Sequence, residues 1–571
     1  MRENASIKKL PRTFLSAREP STVLQTAPPE TALPLPDGTR AGRRFPFAWE
    51  YAAILLVILV VAGLRFRLRE FPLERDEGEY AYAGQLILEG IPPYQLAYNM
   101  KLPGTYAAYA AIMAVFGQTA AGIHFGVILV NAASILLVFL IAKRLFGAQA
   151  GVVAGATFAL FSIRPYLLGL AGHATHFVTL AALLSICLLL RASGSRRYGT
   201  FLGSGIFAGL ALIMKQPGVF FAAFGLFYLV WRERQARDGT LFPKIAAYCA
   251  GAVLPYIVTC LILLRAGVFQ RFWFWTVSYA RAYGSELTAR QGLNEFANRM
   301  ELQTEHTGFI WFLIISGMAA FLADRKLRPH SVLVLSLLGF SFLAASAGLY
   351  YRGHYFIVLY PALAILAGVA VSSAREWLAR LKMPKVVALT PMALFVLAFA
   401  YALCANRQIY FADSVYQACR QIYGSNPFPE SAAIGDYIRA NSAKNARVAV
   451  LGSEPEIYFY AQRHSATGYI YTYALTEEQA YASTMQREFI REVESAVPEF
   501  VVYVLIEPSW LRHAHSDNLI FRWADSFTRD HYSLVGVADG GANHDLYRWG
   551  TEVETYRPRR PEVVLVYKRD R

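Results

Sequence analysis

One short stretch, Glu74-Arg75-Asp76-Glu77 with Glu79 and Glu89 behind it, gathers five carboxylates within sixteen residues, beside Tyr80, Tyr82, Tyr94 and Tyr98. A carboxylate held near a membrane face can act as a general base, taking the proton from a hydroxyl as that oxygen forms a new bond. Neighbouring charges and partial burial would tune its pKa for that task. The composition of the stretch equally accommodates a solvated acidic face. Lys101, at the end of the same loop, suits an anion at the water–lipid boundary, and it also fits an interfacial lysine that snorkels to water. Arg352 and His354 stand at a later boundary of the same kind.

These residues must be placed by membrane helices. Of 571 residues, 55% are hydrophobic and 17% charged, and mean hydropathy is +0.33. Soluble domains carry about 25% charged residues. Apolar stretches approach the ~20 residues needed to cross ~30 Å of hydrocarbon. We read spans near 47–66, 122–145, 150–163, 174–190, 201–214, 219–231, 245–264, 309–323, 332–349, 356–373 and 386–404, roughly eleven in all. Residues 103–116 are apolar but short, and read as an interfacial or re-entrant helix. The net charge of +15 is spread between the spans rather than gathered in one patch, which argues for topology and against nucleic-acid binding. Basic loops recur at every second boundary, at Lys143-Arg144, 191–197, 231–244, 325–328 and 375–385. Placing them inside makes the amino terminus cytoplasmic and the carboxyl-terminal region extracytoplasmic. Arg65, Arg67 and Arg69 run against that topology.

The expected organisation is a disordered cytoplasmic tail (1–45), a transmembrane domain (46–405) with an outer loop at 67–101, and a small extracytoplasmic α/β domain (406–571). Strands are expected at 447–451, 500–505, 532–537 and 563–568, with a polar helix over 477–496. Gly203, Gly205 and Gly209 mimic a dinucleotide loop, but they lie inside an apolar span with no strand before them. Gly205 and Gly209, like Gly151 and Gly155, suit close helix packing in lipid. Five cysteines give no zinc spacing; Cys404 and Cys419 would pair only if both faced an oxidising compartment. The aromatic run Phe272-Trp273-Phe274-Trp275 is an interfacial belt or a lid.

Glu74-Arg75-Asp76-Glu77, then Tyr80-Ala81 and Gly90-Ile91-Pro92-Pro93-Tyr94, resembles the first outer loop of GT-C glycosyltransferases. The nearest groups are bacterial family 39 and the aminoarabinose-transferase-like enzymes, related to dolichyl-phosphate-mannose protein mannosyltransferases. Lys101-Leu102-Pro103-Gly104 is similar to the family's Lys-Pro-Pro motif, with the lysine and second proline retained. Lys143-Arg144-Leu145-Phe146-Gly147, Met214-Lys215-Gln216-Pro217-Gly218 and Tyr351-Arg352-Gly353-His354-Tyr355-Phe356 resemble further family segments. The resemblance implies a GT-C-like polytopic helical fold and a membrane glycosyltransferase of the plasma (inner) membrane. Its donor would be a polyprenyl-phosphate sugar, and its acceptor an extracytoplasmic glycan, lipid or protein, with inversion at the sugar. It puts the catalytic base on Asp76 with Glu77 as acidic neighbour, and the carrier phosphate on Lys101, Lys215, Arg352 and His354.

The resemblance requires no cofactor and leaves a divalent metal open. Relatives carry an acidic residue where this chain has His173 and His176, whose spacing suggests one helical face. Glu454-Pro455-Glu456-Ile457-Tyr458 resembles the soluble tail of bacterial members and assigns no chemistry. The rival function is a transporter or flippase for a lipid-linked glycan. Transporters place ionisable groups near the midplane, whereas here they cluster at span ends, with Lys215 the exception if its span sits deeper.

Overall fold

A computed structural model describes residues 49–570 apart from 193–196, 237–238, 285–286 and 541–546; the expected tail lies outside the described residues. Among the described residues, six helices are long and apolar enough to cross a membrane: Trp49–Arg67, Ala120–Phe146, Ala174–Ala192, Leu241–Arg265, Arg328–Ser346 and Tyr360–Arg380. A bent pair, Ala289–Thr304 with Gly308–Ala323, passes the same test as one unit. Each of the eleven expected segments falls on a helix. The other five fall short individually: Ala148–Phe161, Tyr198–Met214, Gly308–Ala323 and Thr390–Ala405 have 14, 17, 16 and 16 residues, and Val219–Ala236 ends in Arg232, Glu233 and Arg234. Large apolar side chains stay exposed on the outer helices, among them Leu56, Leu59, Leu261 and Ile262, as lipid contact requires.

Small residues bring the helices together. A Cβ on Gly205 would lie 2.0 Å from the Tyr248 carbonyl oxygen, and one on Gly209 would lie 2.3 Å from that of Ala252. The close-packing role expected of these glycines is what the geometry shows.

Between the first two long helices the chain forms the helix Arg75–Leu88 and the helix Gly104–Phe116. Gly104–Phe116 has 13 residues, about 20 Å at 1.5 Å per residue, too short to cross. Gln118, just past its end, accepts a hydrogen bond from Gln85 of Arg75–Leu88 at 2.9 Å. The ends of these two short helices therefore lie side by side.

The carboxyl-terminal region is a six-stranded sheet: β1 (Arg447–Leu451), β2 (His464–Ser465), β3 (Phe500–Leu505), β4 (Tyr532–Ala538), β5 (Tyr547–Trp549) and β6 (Val563–Arg569), in the order β2-β1-β3-β6-β4-β5. β1 pairs in parallel with β2 and β3, and the remaining pairs are antiparallel. The four expected strands are present; β2 and β5, with two and three residues, are too short to carry an alternating pattern. Side chains alternate across a strand. Ala449, Leu451, Val501 and Tyr503 therefore pack with Met485, Phe489 and Val493 of the helix Ala482–Ala496. Val448, Val450, Phe500 and Val502 turn the other way and share one core with Leu73, Tyr80, Ala81 and Tyr82.

The sheet region is thus packed directly on Arg75–Leu88. A Cβ on Gly78 would lie 2.6 Å from the Glu456 backbone nitrogen and 2.8 Å from its Cα. Gly78→Val should overpack this joint at a cost of about 1–3 kcal/mol, lowering the melting temperature in detergent and exposing residues 406–571 to protease. Gly63→Ala, where a Cβ meets nothing within 4 Å, should leave both readouts unchanged. An unshifted melt for Gly78→Val would contradict the joint.

Candidate functional site

Arg75–Leu88 begins with a capping box. The Glu74 side chain accepts the Glu77 N–H at 2.9 Å, and the Glu77 side chain accepts the Glu74 N–H at 3.4 Å. Glutamate is an unusual cap, since shorter side chains reach these donors more easily; here burial fixes it. The helix periodicity then sends its polar residues in three directions. Arg75, Gly78 and Tyr82 face the sheet region: Arg75 bonds Glu454 Oε1 at 2.8 Å and the Ser453 carbonyl at 2.6 Å, and the Tyr82 hydroxyl accepts the Ser465 N–H at 2.8 Å. The segment around Glu454, to which the sequence assigned no chemistry, is therefore the anchor for this helix.

Glu77 points to the membrane helices. Its Oε1 accepts the Gly172 N–H and lies 3.1 Å from His124 Nε2, whose ring also bonds the Arg69 carbonyl. Glu77, expected as the acidic neighbour of Asp76 in the chemistry, is placed with its carboxylate on His124 and the Gly172 N–H, away from Lys101. One residue along a helix is a rotation of about 100°, and it turns Glu77 into the packing. Arg65 is explained by similar means: it runs against the topology in charge, but it is buried and donates to the carbonyls of Ser162, Gly169 and Leu170.

Asp76, Glu79 and Tyr80 form the third face, around Lys101. Lys101 Nζ lies 2.6 Å from Asp76 Oδ1 and 2.6 Å from Glu79 Oε2, and stands 4.8 Å over the Tyr80 ring. Glu79 also accepts from Asn99 Nδ2 at 2.8 Å and from the Tyr106 hydroxyl. Burial opposes charge on Asp76, but the Lys101 ammonium, with a smaller contribution from His173, outweighs it and holds the carboxyl well below its usual range. Burial raises Glu79, partly offset by Lys101 and reinforced by Asp76. Burial also raises Glu74 to about 7, against the opposing effect of His173.

Asp76 lies where two cavities meet. The first, about 460 Å³, is lined by the charged or polar Lys101, Lys215, Arg281, Arg352, His354 and Glu477 and by the largely apolar Trp275, Val277, Tyr279 and Ala280. The second, about 510 Å³, is lined by Glu74, Arg75, His173, Gln291, Glu295 and Arg299. Asp76, Arg352, His354, Tyr471 and Tyr473 border both. Five of the six expected site residues thus converge, with Glu77 behind them. The aromatic run at 272–275 contributes Trp275 to the cavity wall, which is closer to the lid than to a plain belt.

Lys215 sits 3.9 Å over the Tyr355 ring. Burial pulls its ammonium down to about 7; Asp76 partly offsets this, while Lys101 and Arg352 add to it. Among the described residues, no carboxylate lies within ion-pair distance of Lys215 or Arg352.

His173 stacks on His354 with centroids 3.8 Å apart and an interplanar angle of 10°. His176, expected to share a face with His173, instead contacts the Gly169 carbonyl at 3.2 Å. The helix starts at Ala174, so His173 lies in the preceding turn and the helical phase does not govern it. Asp76, His173 and His354 each offer a ligand atom within 4.8 Å of the others. Both His173 ring nitrogens and His354 Nδ1 are buried without hydrogen-bond partners, a donor set that fits a divalent transition-metal ion.

Sequence reasoning missed Tyr471, whose hydroxyl donates to Asp76 Oδ1 at 3.1 Å. The alternation Tyr469-Ile470-Tyr471-Thr472-Tyr473 was the available signal, but nothing in it indicates a contact 395 positions away.

Residues 101–276 match the sequence profile of the dolichyl-phosphate-mannose-protein mannosyltransferase family. A sequence search of curated proteins gives no match. The fold is similar to that of ArnT from Cupriavidus metallidurans bound to undecaprenyl phosphate, at 16% identity and a TM-score of 0.57 over 91% of this chain and 98% of that one. The apo form of the same protein gives 17% and 0.55 over the same shares. The oligosaccharyltransferase of Archaeoglobus fulgidus gives 12% and 0.51, covering 87% of this chain and 74% of that one. The chain is therefore a polytopic membrane protein of the GT-C glycosyltransferase fold, carrying the mannosyltransferase-family signature in residues 101–276.

Proposed function

We propose that the protein transfers a sugar from a polyprenyl-phosphate carrier to a hydroxyl-bearing acceptor on the extracytoplasmic side, with Asp76 as general base. The observation that carries this reading is the place of Asp76 on the border of two cavities, one lined by Lys101, Lys215 and Arg352 together with apolar side chains and a second, more polar one. The carrier phosphate takes the three cations of the first cavity, and its polyprenyl chain runs along the apolar side chains. The acceptor enters from the second. Its oxygen attacks the anomeric carbon while Asp76 takes the hydroxyl proton. The bond from that carbon to the phosphate oxygen breaks, and the departing charge stays with the three cations. A single displacement of this kind inverts the anomeric centre. The similarity to an undecaprenyl-phosphate-bound ArnT supports the carrier class.

The alternating basic loops support a cytoplasmic amino terminus and an extracytoplasmic sheet region. The transporter reading has less in its favour, because Asp76, Lys101, Lys215 and Arg352 all lie at or beyond helix ends beside the sheet region.

Asp76→Asn should lower transfer from a polyprenyl-phosphate sugar by about 100-fold or more, with folding in detergent unchanged; a folded variant with full activity would sink the assignment. Lys215 gives a pH dependence of defined sign. A phosphodiester donor keeps one negative charge across the neutral range, whereas an ammonium near 7 is charged below that pH and neutral above it. Donor binding by the free enzyme should weaken as pH rises through about 7, and Lys215→Arg should flatten the profile. A wild-type affinity that stays flat across that range would contradict it.

A second reading, an alternative to Asp76 as free base, has Asp76, His173 and His354 hold a divalent metal. When bound, the ion would supply positive charge beside the donor phosphate. His354 is kept neutral by burial, reinforced by His173 and Lys215, as ligation requires. Purified protein should then contain about one equivalent of metal, lost in His173→Ala. Metal-free protein that transfers at the wild-type rate would exclude this reading.

A further inference from the structure

The carboxylate of Asp76 has two oxygens in unequal surroundings. Oδ1 accepts from Lys101 Nζ at 2.6 Å and from the Tyr471 hydroxyl at 3.1 Å. Oδ2 faces His173 Nδ1 at 3.6 Å and His354 Nε2 at 3.9 Å, both beyond ordinary hydrogen-bond length. A carboxylate's terminal torsion is broad and nearly two-fold, so nothing intrinsic distinguishes the two oxygens. Two donors converging on one of them do.

Tyr471 is itself held from several directions. The Thr472 N–H donates to Ser453 Oγ at 3.0 Å, and the Tyr473 hydroxyl donates to the Pro508 carbonyl at 2.8 Å. The Gly468 carbonyl accepts the Tyr98 N–H at 2.6 Å, tying this segment to the outer loop. The Tyr471 ring packs edge-on against Tyr473, with centroids 4.9 Å apart, and lies under the Lys101 ammonium at 5.2 Å. Its hydroxyl therefore arrives at Asp76 from a rigid platform built on the sheet region, whose anchor to the same helix is the Arg75–Glu454 pair.

We propose that Tyr471 is a positioning residue for the base: with Lys101 it pins Asp76 Oδ1 and leaves Oδ2 as the oxygen that receives the acceptor proton, so the extracytoplasmic region completes the active site. This rests on Asp76 as the base.

The test compares full-length Tyr471→Phe with the wild type and Asp76→Asn, using a polyprenyl-phosphate hexose that the wild type accepts. Removing the hydroxyl should lower kcat about tenfold or more through loss of alignment. The donor KM should stay within about twofold and the melting temperature should not move. Wild-type kcat in Tyr471→Phe beside an inactive Asp76→Asn overturns the positioning role and leaves the base assignment standing. A loss confined to donor KM makes Tyr471 part of the cavity wall and also overturns it. A Tyr471→Phe variant that no longer purifies as a folded monodisperse protein reduces the hydroxyl to a structural bond, and the positioning role falls with it. Activity in both variants removes the base assignment itself.

Discussion

An ionised carboxylate taken out of water costs several kcal/mol unless it is paired and hydrogen-bonded. The first turns of Arg75–Leu88 bury Glu74, Glu77 and Glu79 together, to 6%, 1% and 0% exposure. One helix cannot answer three such groups with its own side chains. Glu74 accepts the Glu77 N–H of its own cap, and Glu77 and Glu79 draw donors from other parts of the chain. Glu77 takes the Gly172 N–H and His124, while Glu79 takes Lys101, Asn99 and Tyr106. Arg75, buried beside them, draws Glu454 from the sheet region. The turn before Ala174–Ala192, the outer loop and the carboxyl-terminal sheet are all gathered by this requirement.

Against that background Asp76 stands apart. Its side chain keeps 19% exposure, against 0%, 2% and 8% for Glu79, Glu77 and Glu74, and it borders both cavities. Among the carboxylates of the first turns, Glu74, Glu77 and Glu79 are thus buried while Asp76 remains the more accessible. The division follows helical phase: Asp76 and Glu79 share Lys101, while Glu77 is rotated into the helix bundle.

Much of this was legible in the sequence. The apolar segments, the four longer strands and the convergence of Lys101, Lys215, Arg352 and His354 on Asp76 followed from hydropathy, periodicity and motif resemblance. Adjacent acidic residues could not be told apart, because burial on a helix depends on which face meets which neighbour. The pairing of His173 with His354 rather than His176 was hidden, since His173 precedes the helix whose period was applied to it. Tyr471 was out of reach for another reason: local pattern reports secondary structure, not contacts made 395 residues away. The anchoring role of Glu454 was invisible on the same grounds.

The pairing pattern also separates cations that hold the fold from those open to a ligand. Lys101 was the expected phosphate contact, yet it already bridges two carboxylates, and an arriving anion would have to share it against their repulsion. Lys215 and Arg352 line the same cavity without a carboxylate partner among the described residues. Their charges repel each other, and that repulsion, added to burial, is part of why Lys215 falls to about 7. An anion between them would relieve the repulsion and favour protonation of Lys215. Arg352, always charged, can offer a planar pair of donors to phosphate oxygens. The proposed phosphate site is therefore best centred on Lys215 and Arg352, with Lys101 at its edge, between the proposed leaving group and Asp76.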